Sequence, residues 1–169
     1  METLPLSDLT SRLAGAESNS AWAAHYEGLR RKAAGESIIM LSVGDPDFNT
    51  PEYISDYVQK QVRAGRTHYS PAAGEPELCA TIAAMETRNV GYDITADQVV
   101  IFPGATATLY ATLSSILNRD DGLVVPEPMY VGYHGILDAI GVNRQPAELA
   151  KPDFALSVDS VLGAIDATT

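Results

Sequence analysis

The sequence is poor in cysteine and in basic residues, and both shortages limit what the protein can be. Its 169 residues include one cysteine, Cys79, so no disulfide can form within the chain. The chain has only 11 lysines and arginines but 22 acidic residues, which gives a formal net charge of −11. Because an acidic surface is repelled by phosphate backbones and anionic lipids, we expect no nucleic-acid partner and no membrane partner. The single cysteine fits a reducing compartment, and we expect the protein in the cytoplasm.

Long apolar runs and several catalytic motifs are also missing. No apolar run is long enough to cross a bilayer, and residues 1–15 lack the basic segment and apolar run of a signal peptide. Neither a Gly-x-Ser-x-Gly elbow nor a His-Glu-x-x-His motif occurs. The three histidines are scattered without metal-ligand spacing, and we expect His25 to be solvated on a polar helix face. We therefore expect no metal site.

The stretch "LSVGDPDFNTP", residues 41–51, carries Asp or Asn at alternate positions, as the first half of a calcium-binding loop does. Such a loop needs glycine at its sixth position, which is Thr50 here. Pro51 instead favours a helix start, with Thr50 as the N-cap and Pro51 at the first helical position. These acidic residues therefore do not predict a calcium site.

Strand-like and helix-like segments alternate along the whole chain. This alternation predicts an α/β fold with a mostly parallel, doubly wound sheet flanked by helices. Two of the strands are continuously apolar, as expected for strands buried on both faces. The predicted strands cover residues 37–43, 99–102, 120–128 and 142–149.

In such sheets, ligands bind where strands end and helices begin, and two of these points are notable. In "FPGATAT", residues 102–108, small residues and threonines open a helix whose N-terminus favours an anion. In "PEPMYVGY", residues 126–133, Tyr130 and Tyr133 could stack on a flat ligand. The residues alone leave alternatives open, because the first stretch also suits a turn that binds nothing and the tyrosines also suit core or interface packing.

Four stretches, taken in order, resemble the fold-type I aminotransferases of class I/II, which use pyridoxal 5′-phosphate (PLP). They are "LSVGDPDFNTP", "HYSPAAGEPEL", "PGATATLYA" and "VVPEPMYVGY", and the likeness runs from Trp22 to the last residue. With "AWAAHYEGL" added, the pattern is most similar to the arginine–pyruvate transaminase type. The resemblance implies the N-terminal portion of the PLP-binding major domain, truncated. Residues 1–44 would be an N-terminal arm and small-domain segment, and residues 45–169 a partial large domain.

The resemblance also implies roles for individual residues. The backbone N–H of Gly44 would lie near the substrate's α-carboxylate. Ala105 and Thr106 would bind the PLP phosphate at the helix N-terminus, and Tyr130 would stack on the pyridine ring. Tyr69 would reach the phosphate of the neighbouring subunit, which implies a homodimer.

The catalytic lysine of the family has no match. The sequence contains no Ser-x-x-Lys motif, and Lys32, Lys60 and Lys151 are predicted to face solvent. Without a Schiff-base lysine we expect the chain alone to be an inactive N-terminal fragment. As part of a full-length enzyme it would transfer an amino group from an amino acid to a 2-oxo acid. The alternatives are another fold-type I PLP enzyme, such as a carbon–sulfur β-lyase or a synthase, and a non-catalytic dimerisation or interaction fragment.

Overall fold

A computed structural model of the protein describes residues 7–10 and 21–169. The predicted lack of a signal peptide, and much of the predicted N-terminal arm, fall on residues 1–6 and 11–20 and lie outside the described part. The chain divides into two units: residues 44–103 form one, and residues 104–169 with the described residues up to Val43 form the other. The division of the chain at residue 44 into an arm and a partial large domain stays a prediction.

The helices and the last two strands follow one another in the order that the sequence predicts. A 3₁₀ turn, Ala96–Gln98, stands between the third and fourth helices, and the Thr95 N–H donates to Gln98 Oε1 over 2.9 Å. The elements are α1 (Ala21–Ala33), α2 (Glu52–Arg63), α3 (Pro76–Val90), α4 (Ala105–Ile116), β1 (Gly122–Glu127), α5 (Gly132–Ile140), β2 (Asn143–Glu148) and α6 (Val158–Ala164).

The sheet of the described chain consists of β1 and β2, which run parallel. Their register runs from Gly122 opposite Asn143 to Glu127 opposite Glu148. Helix α6 packs against both strands, and α4 packs against α5. The apolar core of this unit consists of Val125, Ile136, Leu137 and Ala147. The predicted α/β fold with parallel strands is thereby confirmed.

Two predicted strands are absent from the described chain. Residues 37–43 and 99–102 form no ladder, although Val99 has an extended backbone with φ −113° and ψ 129°. A strand needs a hydrogen-bonded neighbour, and the Ile101 N–H instead donates to the loop carbonyl of Ala73 over 2.8 Å. The apolar run at residues 99–102 therefore predicted an extended backbone correctly, but it did not reveal whether another strand pairs with it.

The unit of residues 44–103 is built from α2, α3 and the 3₁₀ turn. Its buried residues are Cys79 and Ala83 on α3, while α2 buries none. The predicted start of α2 is wrong by one residue: Pro51 is the N-cap, with a non-helical ψ of 137°, and Glu52 is the first helical residue. Thr50 makes no cap, because the first helical turn closes on the Pro51 carbonyl, which accepts from Ile54 N over 3.0 Å.

Across the described residues, no helix combines the length and apolar character needed to cross a membrane.

Candidate cofactor site

The turn that opens α4 is shaped by Gly104. This residue adopts φ 89° and ψ 161°, a region that favours glycine, and no heavy atom lies within 4 Å of the place where its Cβ would stand. The Gly104 carbonyl accepts from both the N–H and the hydroxyl of Thr108, at 3.1 and 3.0 Å. The helix therefore begins abruptly, with open space around its first residues.

Ala105 and Thr106 form the first turn of α4, and both are exposed. The first N–H groups of a helix have no intrahelical acceptor, so the amides of these two residues remain available to an external group. The Ala105 methyl is too small to cover them. Exposed N–H groups of this kind are compatible with an anion, and the anion site at this stretch stays a prediction.

Tyr130 lies just before α5 and keeps 65% of its side chain exposed. Its ring meets the Tyr133 ring edge to face, with centroids 5.2 Å apart and planes 75° apart. A 3.0 Å bond from the Tyr133 N–H to the Tyr130 carbonyl closes the turn that carries both residues. Within the described chain, Tyr130 is therefore not a core residue, and its ring can still receive another flat group.

The five predicted binding residues divide between the two units. Ala105, Thr106 and Tyr130 belong to the unit that contains the sheet, where α4 packs against α5. Gly44 and Tyr69 belong to the unit of residues 44–103. The structure therefore brings the first three into one unit and leaves the other two in a separate one.

Gly44 and Tyr69 are both open to solvent in their own unit. No heavy atom lies within 4 Å of the place where a Gly44 Cβ would stand. The Tyr69 side chain is fully exposed, at 107% of its reference area. A 2.7 Å ion pair between Arg66 and Glu75 spans the loop that carries this tyrosine.

A histidine that was expected to be solvated is instead bonded. His25 Nδ1 lies 2.9 Å from the Ser42 hydroxyl, and the imidazole meets Trp22 and Tyr26 edge to face. This contact joins α1 to the segment that leads toward Gly44. The partner lies 17 residues away, so helical periodicity could not reveal it.

Charged groups on α5 and β2 form a second network that the sequence did not reveal. Arg144 pairs with Asp138 at 3.1 Å and lies 2.8 Å from His134 Nδ1. A guanidinium only donates, so His134 Nδ1 is the acceptor in this contact. The network fastens α5 to β2, one residue beyond Tyr133.

The sheet unit also has a shallow cavity of about 350 Å³ that takes no part in the candidate site. Its lining residues lie just before the strands or in the last turn of α5, so the cavity is at the amino ends of β1 and β2. Tyr130, in contrast, follows the carboxyl end of β1. The lining residues are Arg119, Asp120, Asp138, Gly141 and Val142.

Among residues 7–10 and 21–169, no group of three or more His, Cys, Asp or Glu side chains could hold a metal ion.

The fold and the α4 turn define an α/β protein in which one helix of the sheet unit begins with exposed N–H groups. The family of class I and II aminotransferases matches residues 36–169, and the chain belongs to this family. The resemblance inferred from the four sequence stretches is thereby confirmed.

Individual relatives agree with this assignment. The chain is 38% identical to an arginine–pyruvate transaminase of Pseudomonas aeruginosa over 164 residues, covering 96% of this chain and 42% of the relative. It is 32% identical to an aspartate aminotransferase of Bacillus subtilis over 139 residues, covering 82% of this chain and 35% of the relative. The chain thus spans less than half the length of these relatives.

Solved structures give the same result. An aspartate aminotransferase of Thermus thermophilus with maleate superposes with a TM-score of 0.85 at 26% identity, covering 99% of this chain and 43% of that one. An alanine aminotransferase of Pyrococcus furiosus gives a TM-score of 0.84 at 25% identity, with coverages of 98% and 42%.

Proposed function

We propose that this chain forms the phosphate- and ring-binding part of a PLP-dependent transaminase. One observation carries the proposal. The same unit contains an exposed helix N-terminus at Ala105 and Thr106 and a largely exposed Tyr130. PLP has a dianionic phosphate and a flat heteroaromatic ring, and these two features match the two exposed groups. When bound, PLP supplies the electron sink that amino transfer between an amino acid and a 2-oxo acid requires.

Ala105 and Thr106 would hold the phosphate through backbone N–H groups and the Thr106 hydroxyl. The positive end of the α4 dipole adds about 0.3–1 kcal/mol at an exposed helix start. This local attraction is important here because the chain carries a net charge of −11, which disfavours anions elsewhere on its surface. The absence of a side chain at Gly104 leaves the approach open.

Tyr130 would stack on the cofactor ring, and Gly44 would offer its N–H to the substrate carboxylate. Neither residue would transfer a proton in these roles. Tyr130 orients the ring and keeps water from one face, and Gly44 orients the substrate. The proton-transferring lysine of the family has no match among Lys32, Lys60 and Lys151, so we assign none of them a catalytic role.

Tyr69 would bind the phosphate in the site of a second subunit, which makes the active form a homodimer. The support is its complete exposure on a loop tied by the Arg66–Glu75 pair. A tyrosine that contacts nothing in its own described chain is suited to a partner's site.

For the substrates we propose an amino acid and a 2-oxo acid, with arginine and pyruvate as the first pair to assay. The support is the 38% identity to the Pseudomonas aeruginosa transaminase named for that pair. The relatives described above are aminotransferases, so a lyase or synthase activity is not favoured.

We also propose the cytoplasm as the compartment, on the evidence of a single free cysteine.

The proposal is tested by Tyr130→Ala in the full-length protein loaded with PLP. Loss of a stacked aromatic removes about 0.5–1.5 kcal/mol beyond its buried area, so we expect faster PLP release, followed by absorbance after dilution. Tyr92→Ala is the matched control, because Tyr92 is 66% exposed and Tyr130 is 65% exposed. Equal release rates for Tyr130→Ala and the parent would remove Tyr130 from the cofactor site.

The role of Tyr69 across the dimer is tested by mixing two inactive or weakened variants, Tyr69→Phe and Tyr130→Ala. If Tyr69 serves the neighbour's site, one site of the mixed dimer carries both lesions and the other carries neither. We therefore expect the mixture to regain activity above that of either variant alone. If activity does not rise after subunit exchange has been verified by mass spectrometry, Tyr69 acts within its own subunit.

A further inference from the structure

The ring of Tyr130 lies directly against the backbone of Gly132. A Cβ built on Gly132 would stand 2.5 Å from Tyr130 Cε1 and 3.2 Å from both Cδ1 and Cζ. Carbon atoms in contact prefer about 3.5–4.0 Å, so any side chain at residue 132 would occupy space that the ring now fills. The present position of the Tyr130 ring requires glycine at residue 132.

The backbone of Gly132 does not itself require glycine. Its φ is outside the left-handed region, unlike that of Gly104 or Gly141. It is also the first residue of α5, a helix position that does not call for glycine. Close approach of the Tyr130 ring is therefore the one feature of this turn that explains a glycine here.

A second contact fixes the ring from another side. The Tyr133 ring meets it edge to face at 5.2 Å, and the Tyr133 side chain is itself only 38% exposed. Despite both contacts, 65% of Tyr130 stays open. The ring is thus held in orientation while most of its surface remains available.

We propose that Gly132 and Tyr133 are positioning residues that set the plane of the Tyr130 ring for stacking on PLP. This inference rests on the proposed function, because it concerns how Tyr130 is presented to the cofactor. Gly132 lets the ring lie against the first turn of α5, and Tyr133 prevents it from rotating away. Both residues act on the cofactor through Tyr130.

The test compares Gly132→Ala with Gly135→Ala in the full-length protein loaded with PLP. Gly135 lies in the same helix, and no heavy atom lies within 4 Å of its Cβ position, so it controls for the effect of alanine on α5. We expect Gly132→Ala to speed PLP release by roughly two- to twelve-fold, the range that loss of one aromatic stack allows. It should also change the circular dichroism of the bound cofactor, and Gly135→Ala should change neither readout.

A double variant separates positioning from a general structural defect. If Gly132 acts through Tyr130, adding Gly132→Ala to Tyr130→Ala should not speed release further. Additive effects, or parental release and dichroism in Gly132→Ala, would overturn the inference. If Tyr130→Ala itself releases PLP at the parental rate, the assignment of Tyr130 under the proposed function fails, and the inference fails with it. If Tyr130→Ala releases PLP faster than the parent but Gly132→Ala releases it at the parental rate, the inference is overturned while the proposed function stands.

Tyr133 gives a second route in case Gly132→Ala does not fold. Tyr133→Leu removes the edge-to-face contact, and we expect faster release with an altered cofactor dichroism. Tyr133→Phe keeps the ring, so release should be slower than in Tyr133→Leu. Equal rates in these two variants would show that the ring contact does not position Tyr130.

Discussion

Helices α2 and α5 are both amphipathic, yet only one of them buries its apolar face. Helix α5 places Ile136 and Leu137 in the core, at 7% and 4% exposure. Helix α2 carries Ile54, Val58 and Val62 on one side, and these residues remain 40–54% exposed. In the described chain, α5 has packed neighbours, whereas α2 buries no residue at all.

The difference shows that an amphipathic pattern specifies a face but not what covers it. The apolar stripe on α2 follows helical spacing as clearly as the one on α5. Burial of the stripe contributes to stability only where a partner surface removes it from water. The same kind of sequence pattern should therefore have different energetic consequences in the two helices.

The largest expected effect comes from truncating the buried helix. Leu137→Ala should lower the free energy of unfolding of the chain by about 2–5 kcal/mol, because it removes buried contacts and leaves a cavity. Val58→Ala on α2 should change it by less than about 0.5 kcal/mol, because the side chain is 53% exposed. Urea denaturation of both variants measures the two values. Equal losses would show that the α2 stripe is buried in solution.

A smaller effect should show that the unit containing α2 has a tightly packed point of its own. Gly74 has φ +114°, and a Cβ there would stand 2.5 Å from Ile101 Cγ1. Gly74→Ala should cost about 2–4 kcal/mol, from backbone strain together with overpacking. Gly91→Ala is the control, because Gly91 shares a positive φ of +78° but meets no atom within 4 Å, so strain alone should cost about 1–2 kcal/mol. The contrast fails if both variants lose the same stability.

The smallest expected effect is electrostatic and lies in the sheet unit. Hydrogen bonds from the Thr168 hydroxyl and N–H, both 2.7 Å, hold the pKa of the Asp166 carboxyl below its ordinary value. A lowered pKa in the folded state means that ionised Asp166 stabilises the fold above the ordinary aspartate pKa of about 4. This contribution is lost as the pH falls through the folded-state pKa.

We therefore expect Asp166→Asn to flatten the acidic part of the stability profile, measured as the urea midpoint between pH 7 and pH 3. Thr168→Ala removes the hydroxyl donor and should flatten it partly. Superimposable profiles for Asp166→Asn and the parent would show that this carboxyl contributes nothing.

The helix-like segments could be recognised because helical periodicity is a local signal, although the cap predicted at Thr50 lies one residue later, at Pro51. The basic last turn of α1 and Gly35 mark its end, and Ser157 caps α6 by accepting from Ser160 N over 3.0 Å. The same local signals indicated the turn at Gly104 that opens α4.

The errors concern features that depend on distant groups. Residues 37–43 and 99–102 look like strands, but strand pairing depends on a neighbour that the local sequence does not specify. His25 bonds to Ser42, and the Tyr130 ring lies on Gly132, because of side-chain orientations that spacing alone does not determine. For the candidate site, the residues assigned from the sequence stay predictions, and the structure adds how the Tyr130 ring is held against Gly132.

The register of the two strands has a consequence for unwanted association. Asn143 N donates to Asp121 O, and Leu149 N donates to Glu127 O, both over 2.9 Å. Alternate residues of a strand face the same neighbour, so the intervening Pro146 directs its nitrogen away from β1.

By the same alternation, Pro126 of β1 directs its nitrogen away from β2. On that same edge, Gly122 N already donates to Thr168 O over 2.7 Å. Each proline thus removes a donor from an outward edge and none from the ladder between the strands. A foreign strand that added to either edge would find an interrupted row of donors, a known protection against edge-to-edge aggregation. The two prolines thus act as gatekeepers for a sheet that has only two strands in the described chain.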